Sequence, residues 1–327
     1  MRLLVTGGAG YIGSHVVLDA IDRGYDVTVF DDLSTGLEEN INENTQFIKG
    51  STLSKSDLSK LFKSHTYDAV IHLAASKAAG ESMLVPIKYA QNNIIGGLNL
   101  INACCEHQIK VFIFSSSAAV YGLPQYNPID ECHPLLPTNY YGFTKSFIED
   151  NLKWFSNLKG MRYASLRYFN AAGYDLKKRV TGLEIDPQNL IPLVMESAIG
   201  IRPQINVYGN DYNTKDGTGI RDYVHVSDLA KAHIDAIEYI HKENKDIVIN
   251  LGTGKGYSVL DVISKVSEIS HKNIEYSFKD RRDGDPDKVI AKADLAKELI
   301  GWEGKNSDLD TIIKSTWEVY QSSILNN

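Results

Sequence analysis

Short apolar runs and helical stripes take turns through the first half of the chain. Leu3 to Val5 is a compact apolar run, and the segment behind it carries Ile12, Val16, Val17 and Ala20 on one side. Strands are predicted over 2–6, 26–30, 45–49, 68–73, 110–115 and 162–167, and helices over 11–23, 54–63, 86–107 and 140–155. Such alternation requires parallel strands joined by right-handed crossovers, with helices on both faces of the sheet. After residue 168 the rhythm changes. Loops lengthen around 175–182 and 209–219. Helical patterns follow at 188–200, 227–242, 258–270 and 307–322, with isolated strand candidates at 204–208 and 247–250. The expected fold is α/β: a Rossmann-type doubly wound parallel sheet over 1–168, then a smaller mixed α/β domain over 169–327. Some segments of the second part are expected to return to the first. No internal repeat or low-complexity segment interrupts this order, and Asn326-Asn327 is expected to fray.

In a sheet of this kind ligands gather beyond the C-terminal strand ends. Those ends fall at Gly7 to Gly10, Asp31 and Asp32, Leu73 to Ala75 (with Ala74 between), and Ser115 to Ser117. Gly7, Gly10 and Gly13 stand between the first strand and the first helix. Glycines there let the backbone turn tightly and approach a diphosphate, and the helix start at Tyr11 and Ile12 offers free N–H groups to its charge. Asp31 ends the second strand. A carboxylate in that place accepts from a ribose 2′-hydroxyl and repels a 2′-phosphate, so NAD is favoured over NADP. A second glycine-rich stretch, Gly252 to Gly256, resembles part of an ATP-binding loop. It fails the pattern, because Gly256 follows Lys255 where a hydroxyl is required, and Ile249 holds the upstream glycine position.

Charge and composition narrow the partners. The net charge is −7 and no basic tract is present, which speaks against nucleic acid. No run is long and apolar enough to span a membrane, and the sequence is expected to carry no leader ahead of its first strand. Cys104, Cys105 and Cys132 are an odd set without metal-ligand spacing, as expected of reduced thiols in a cytoplasmic protein without a bound metal.

Tyr141 and Lys145 lie four apart at the start of a predicted helix, and so share a face. An ammonium beside a phenol favours the phenolate, making the phenol a usable proton acceptor near neutral pH. Lys145 can also reach ribose hydroxyls. The strand at 110–115 runs into three serines, of which Ser117 is expected to hydrogen-bond the substrate oxygen that Tyr141 deprotonates. The other serines suit a cap or turn.

These segments resemble the extended short-chain dehydrogenase/reductases, and within that group the UDP-glucose 4-epimerases. The resemblance runs through Gly7–His15, Asp31–Gly36, Ile71–Ala75, the Ser117 segment, Tyr141–Lys145 and Leu166–Asn170. It continues in Gly209–Tyr212, Asp216–Val226 and Arg281–Asp285. It implies an NAD-binding first domain, with Ser34, Lys77, Asn92, Ser115 and Tyr168 joining the residues above. It implies a second domain binding the UDP-sugar through Asn170, Asn189, Leu190, Asn206, Tyr208, Arg221, Tyr223, Arg282 and Asp285. The arginines would meet the diphosphate, or else pair with Asp222, Asp283 or Asp285. Two positions depart from the family pattern: Ser51 stands where an acidic residue is usual near the adenine, and Ala75 where glycine is common.

The reaction implied is inversion at C4 of the hexose in UDP-galactose and UDP-glucose, through a 4-keto sugar. Val289 would border the sugar pocket, and its small size would admit N-acetylated sugars too. Two alternatives stand beside this. A nucleotide-sugar 4,6-dehydratase needs an Asp-Glu pair after the active-site hydroxyl, where this chain has Ala118 and Ala119. A catalytically silent NAD-binding sensor or scaffold is the other. Relatives dimerise through helices corresponding to 86–107 and 140–155, so a homodimer is expected. The apolar residues Ile94, Ile95, Leu98, Ile101, Phe147 and Ile148 could instead serve the internal core alone.

Overall fold

The computed structural model describes every residue except Asp283, Asn326 and Asn327, with no side-chain account of 324 and 325. The expected fraying of Asn326-Asn327 therefore lies outside the described residues. The alternating half of the chain gives β1 (Arg2–Thr6), α1 (Tyr11–Asp22), β2 (Asp26–Asp31), β3 (Gln46–Lys49), α2 (Lys55–Ser64) and β4 (Ala69–His72). Then come α3 (Ala79–Leu84), α4 (Pro86–Tyr89), a π-helical turn (Ala90–Ile95), α5 (Gly96–Glu106), β5 (Val111–Ser117), α6 (Tyr140–Lys159) and β6 (Arg162–Tyr168). The helix predicted over 86–107 is thus broken into three. The wide π turn swings Asn92 and Asn93 inward, a register change that an apolar stripe does not reveal. Helix α6 runs four residues past its predicted end at 155, to Lys159, because Gly160 supplies the left-handed cap at φ +71°.

Beyond Tyr168 the strands are short: β7 (Asn170–Ala172), β8 (Ile205–Tyr208), β9 (Ile220–Arg221), β10 (Tyr223–His225), β11 (Ile247–Leu251), β12 (Tyr257–Ser258), β13 (Tyr276–Lys279) and β14 (Lys288–Val289). The helices there are α7 (Leu190–Ala198), α8 (Val226–Glu243), α9 (Val259–Ser270), α10 (Asp294–Ile300) and α11 (Leu309–Leu325). Strand β11 is not isolated. It pairs with β6 and extends the main sheet, whose seven parallel strands run β11-β6-β5-β4-β1-β2-β3.

Strand order reverses between β1 and β4, so their C-terminal ends flank an open crevice. Both sheet faces are buried. Leu3 and Val5 point toward α1 and α8, while Leu4 points toward α2, α5 and α6. A second core joins α7, α9 and α11 to β8 and β10. Ile101 and Ile148 are fully buried, whereas Ile95 is exposed. Among the described residues no helix is long and apolar enough to cross a membrane.

Candidate active site

The glycine loop leaves β1 after Thr6 and enters α1 at Tyr11. Gly7 adopts φ +76°, and a Cβ there would stand 2.5 Å from the Ala74 nitrogen, so the loop can run against the end of β4 only with glycine. Gly10 opens α1, which Tyr11, Ile12 and Gly13 begin, without a side-chain cap, leaving the first-turn N–H groups to another acceptor. Asp31 closes the cradle. Its Oδ2 accepts from the Ala9 N–H at 3.0 Å and its Oδ1 from the Leu33 N–H at 2.9 Å. Burial pushes this carboxyl up, and those two N–H groups oppose the shift. Asp32 accepts from the Ser34 N–H at 2.9 Å. An uncapped helix start, a glycine cradle and a carboxylate at the adjoining strand end fit a dinucleotide, with its diphosphate at the loop and a ribose at Asp31.

The loop after β4 is stitched to the glycine turn, since the Leu73 and Ala74 N–H groups both donate to the Thr6 carbonyl, at 2.9 and 3.1 Å. Ala75 lies next, half-buried. Asn93 clamps Ser76 from the π turn: its Oδ1 accepts from the Ser76 N–H at 2.8 Å, and its Nδ2 donates to the Ser76 carbonyl and the Thr144 hydroxyl, each at 3.0 Å. Asn92 donates to the Ser76 hydroxyl at 3.0 Å. Lys77 pairs with Glu184 and stands 6.0 Å from the Tyr11 ring centre. Although Ser51 is not acidic, its N–H donates to Asp57 at 3.3 Å, so a carboxylate still lies beside that turn.

Helix α6 starts where the Asn139 side chain accepts from the Gly142 N–H at 2.8 Å and the Ser82 hydroxyl accepts from the Tyr141 N–H at 3.0 Å. The Ser117 side chain lies close enough to the Tyr141 phenol to act on its ionisation. Burial holds this phenol above its ordinary value, and the Ser117 contact pulls the other way. Lys145 donates to the Ser115 carbonyl at 2.6 Å, with its Nζ 5.7 Å from the Tyr141 ring centre. Burial brings its ammonium down to about 7, and Glu149 opposes that shift. Ser117 thus bears on the ionisation of the phenol, and Lys145 bonds the strand end that carries Ser117.

The three serines do different things. Ser115 bonds the Tyr168 hydroxyl, Ser116 donates to Glu149 at 2.5 Å, and Ser117 accepts from the Ala119 N–H at 3.2 Å. Glu149 also takes a buried ion pair from Arg167, whose Nη1 donates to the Tyr121 hydroxyl at 3.1 Å. Asn93, Glu149 and Arg167 are not among the expected site residues. The signals for the charged pair are faint: Glu149 follows Lys145 by one turn, and Arg167 interrupts an apolar strand.

A further group of polar residues comes from the second half of the chain. Asn170 donates to the Asp222 carbonyl at 2.8 Å, Asn189 opens α7 and Leu190 is its first residue. Asn206 accepts from the Ser277 hydroxyl at 3.4 Å. The Arg282 guanidinium lies 4.0 Å over the Tyr208 ring. Arg221 pairs with Asp285, which also accepts from the Tyr212 hydroxyl at 3.1 Å. Burial pushes the Tyr223 phenol up to about 12. Val289 sits in register with Arg221 and packs with Ala118 onto a cluster holding Phe169 together with Val120 and Tyr121, which follow Ser117 in the chain. Of the three acids expected as arginine partners, Asp285 serves and Asp222 faces elsewhere; Asp283 lies outside the described residues.

Residues 3–252 match the model of the NAD dependent epimerase/dehydratase family. The chain belongs to that family. It is 42% identical over 317 residues to a UDP-glucose 4-epimerase of Halalkalibacterium halodurans, covering 97% of this chain and 95% of that protein. Its structure is similar to that of UDP-glucose 4-epimerase from Brucella ovis in complex with NAD, with a TM-score of 0.95, 39% identity and 98% of each chain covered. It is also similar to the UDP-Glc/GlcNAc 4-epimerase from Campylobacter jejuni, with a TM-score of 0.86, 36% identity, and 98% of this chain and 99% of that one covered.

Proposed function

We propose that this protein is a UDP-glucose 4-epimerase that interconverts UDP-galactose and UDP-glucose with NAD held in the β1–α1 cradle. The observation that carries the reading is the convergence of Ser117, Tyr141 and Lys145 on the β5–α6 side of that cradle, with Arg221 and Arg282 supplied by the second half of the chain. When bound, NAD supplies reversible hydride exchange at C4 of the sugar, by way of a 4-keto sugar. Tyr141 takes the proton from the 4-hydroxyl and returns it, and Ser117 holds the same oxygen. Lys145 favours the phenolate through its charge. Arg221 and Arg282 grip the diphosphate through charge-assisted bonds, leaving the hexose free to turn. The first 168 residues with β11 and α8 form the cofactor domain, and most of the remainder forms the substrate domain.

Ala118 and Ala119 follow Ser117, so no acid–base pair stands there for elimination of water. Incubation with UDP-galactose should yield UDP-glucose without net NADH. A stable keto sugar would instead indicate a dehydratase, and no conversion of any nucleotide sugar would indicate a sensor.

The same proposal includes a homodimer in the cytoplasm. Phe143, Trp154 and Leu158 recur along one side of α6 and are exposed, as are Ile87 and Ile95 on the neighbouring segment. An apolar stripe of this size on one face suits burial against a second copy. The three free cysteines suit a reducing compartment. Light scattering should return twice the chain mass; a strictly monomeric species would remove the dimer.

A further inference from the structure

Asp222 is a carboxylate with no exposed surface, set directly between Arg221 and Tyr223. Its oxygens do not turn to the adjoining arginine. Oδ1 accepts from the Thr253 N–H at 2.9 Å and the Thr253 hydroxyl at 2.7 Å. Oδ2 accepts from the N–H groups of Thr253 and Gly254, each at 3.0 Å, and of Ala291 at 3.1 Å. The glycine-rich loop 252–256 thus holds an anion after all, and the anion belongs to the chain itself. A Cβ on Gly252 would stand 2.2 Å from the Ala291 Cβ and 2.9 Å from Oδ2, so the loop closes on the carboxylate only because that residue is glycine.

The Asp222 backbone completes a hub. Its N–H donates to the Val289 carbonyl at 3.1 Å, and its carbonyl accepts from the Asn170 N–H at 3.0 Å and the Asn170 amide at 2.8 Å. One residue therefore ties together four segments: β9 with Arg221, β7 with Asn170, the 252–256 loop, and the segment from Val289 to Ala291. Resting on the UDP-sugar reading above, we propose that Asp222 is a positioning residue that sets the diphosphate grip by locking Arg221 and its neighbouring strands to the 252–256 loop. The physical reason is that a carboxylate can satisfy four converging donors at once, whereas an amide in its place turns an NH₂ toward some of them. The loop then loses its anchor, and the arginine loses its fixed approach.

The test reads UDP itself, by calorimetry on protein carrying its NAD, together with kcat and KM for UDP-galactose. Asp222→Asn should weaken UDP about tenfold or more and raise KM, with a much smaller change in kcat and with NAD still bound. Thr253→Val removes one donor and should give a smaller loss in the same direction, while Thr253→Ser keeps the hydroxyl and should behave as wild type. If Asp222→Asn does not fold, the contrast between Thr253→Val and Thr253→Ser carries the test. Unchanged UDP affinity in a folded Asp222→Asn or in Thr253→Val would overturn the inference, as would equal losses of NAD and UDP. Wild-type protein that does not bind UDP would instead overturn the functional reading on which it rests.

Discussion

At the scale of single residues, the proposed site would separate proton chemistry from cofactor grip. Tyr141→Phe removes one hydroxyl and keeps the ring, so the fold and bound NAD should persist while kcat falls about 10²- to 10⁴-fold. Near-normal turnover would mean that another group is the base. Lys145 bonds the Ser115 carbonyl on the strand end that carries Ser117, and its Nζ stands 5.7 Å from the Tyr141 ring centre. Its loss should still be felt as charge. Burial already raises the Tyr141 phenol, and with the Lys145 charge removed the phenolate becomes harder still to form. Lys145→Ala should therefore move the rising limb of the pH–rate profile to higher pH, and an unmoved limb would contradict the role. Asp31 does two jobs, because its oxygens also take the Ala9 and Leu33 N–H groups. Asp31→Ala should lower NAD affinity about tenfold and erode the preference over NADP, both measurable by titration. Full retention of that preference would show that another group reads the ribose.

At the scale of elements, what was legible depended on length and on period. The main-sheet strands β1 to β6 and helices α1, α2 and α6 were readable because each is an apolar run or stripe long enough to repeat. The two-residue strands β9, β12 and β14 were not, since two residues carry no alternation. Strand β11 was readable as a strand but not as part of the main sheet, because its pairing with β6 lies about eighty residues away in sequence. The Ser117, Tyr141 and Lys145 set was legible through spacing, whereas Glu149 and Asp222 were not, since a satisfied buried acid looks like a surface one until its partners are known. The short strand β14 is where this matters for specificity. Val289 pairs in register with Arg221 and packs on the segment following Ser117, so its side chain borders the stretch that carries the site. A tyrosine there must displace packed neighbours or project into the sugar space, and such overpacking costs about 1–3 kcal/mol. Val289→Tyr should selectively suppress interconversion of UDP-N-acetylglucosamine and UDP-N-acetylgalactosamine, measured as kcat/KM beside the plain hexoses. Equal losses for both substrate pairs would remove Val289 as the gate.

At the scale of the whole molecule, two buried histidines join the sheet to the second core. His15, on α1, accepts from the Asp175 N–H through Nε2 at 3.0 Å, so its proton must sit on Nδ1, which meets the Tyr11 carbonyl at 2.7 Å. His225 accepts from the Ser227 N–H through Nδ1 at 3.1 Å and faces the Ser315 hydroxyl on α11 through Nε2 at 3.2 Å. In each ring one nitrogen must remain an acceptor, so protonation would set N–H against N–H. Burial lowers both to about 4, and likewise lowers His233 to about 4 and His72 to about 3, from an ordinary 6.5. Between those values and 6.5 the unfolded chain binds protons that the folded molecule does not. The stability these neutral rings contribute is thus fully present above pH 6.5 and is lost as pH falls toward 4, by up to about 1.4 kcal/mol per pH unit for each histidine. The carboxyls of Asp31, Asp222 and Asp228, raised by burial, act in the opposite sense, but from a lower ordinary value and hence nearer the acid end of the window. Urea unfolding should therefore show a midpoint that drops clearly from pH 7 to pH 5 at constant slope, with net proton uptake on unfolding. An unfolding free energy that stays flat across that interval would mean that these rings are not held neutral in the folded protein.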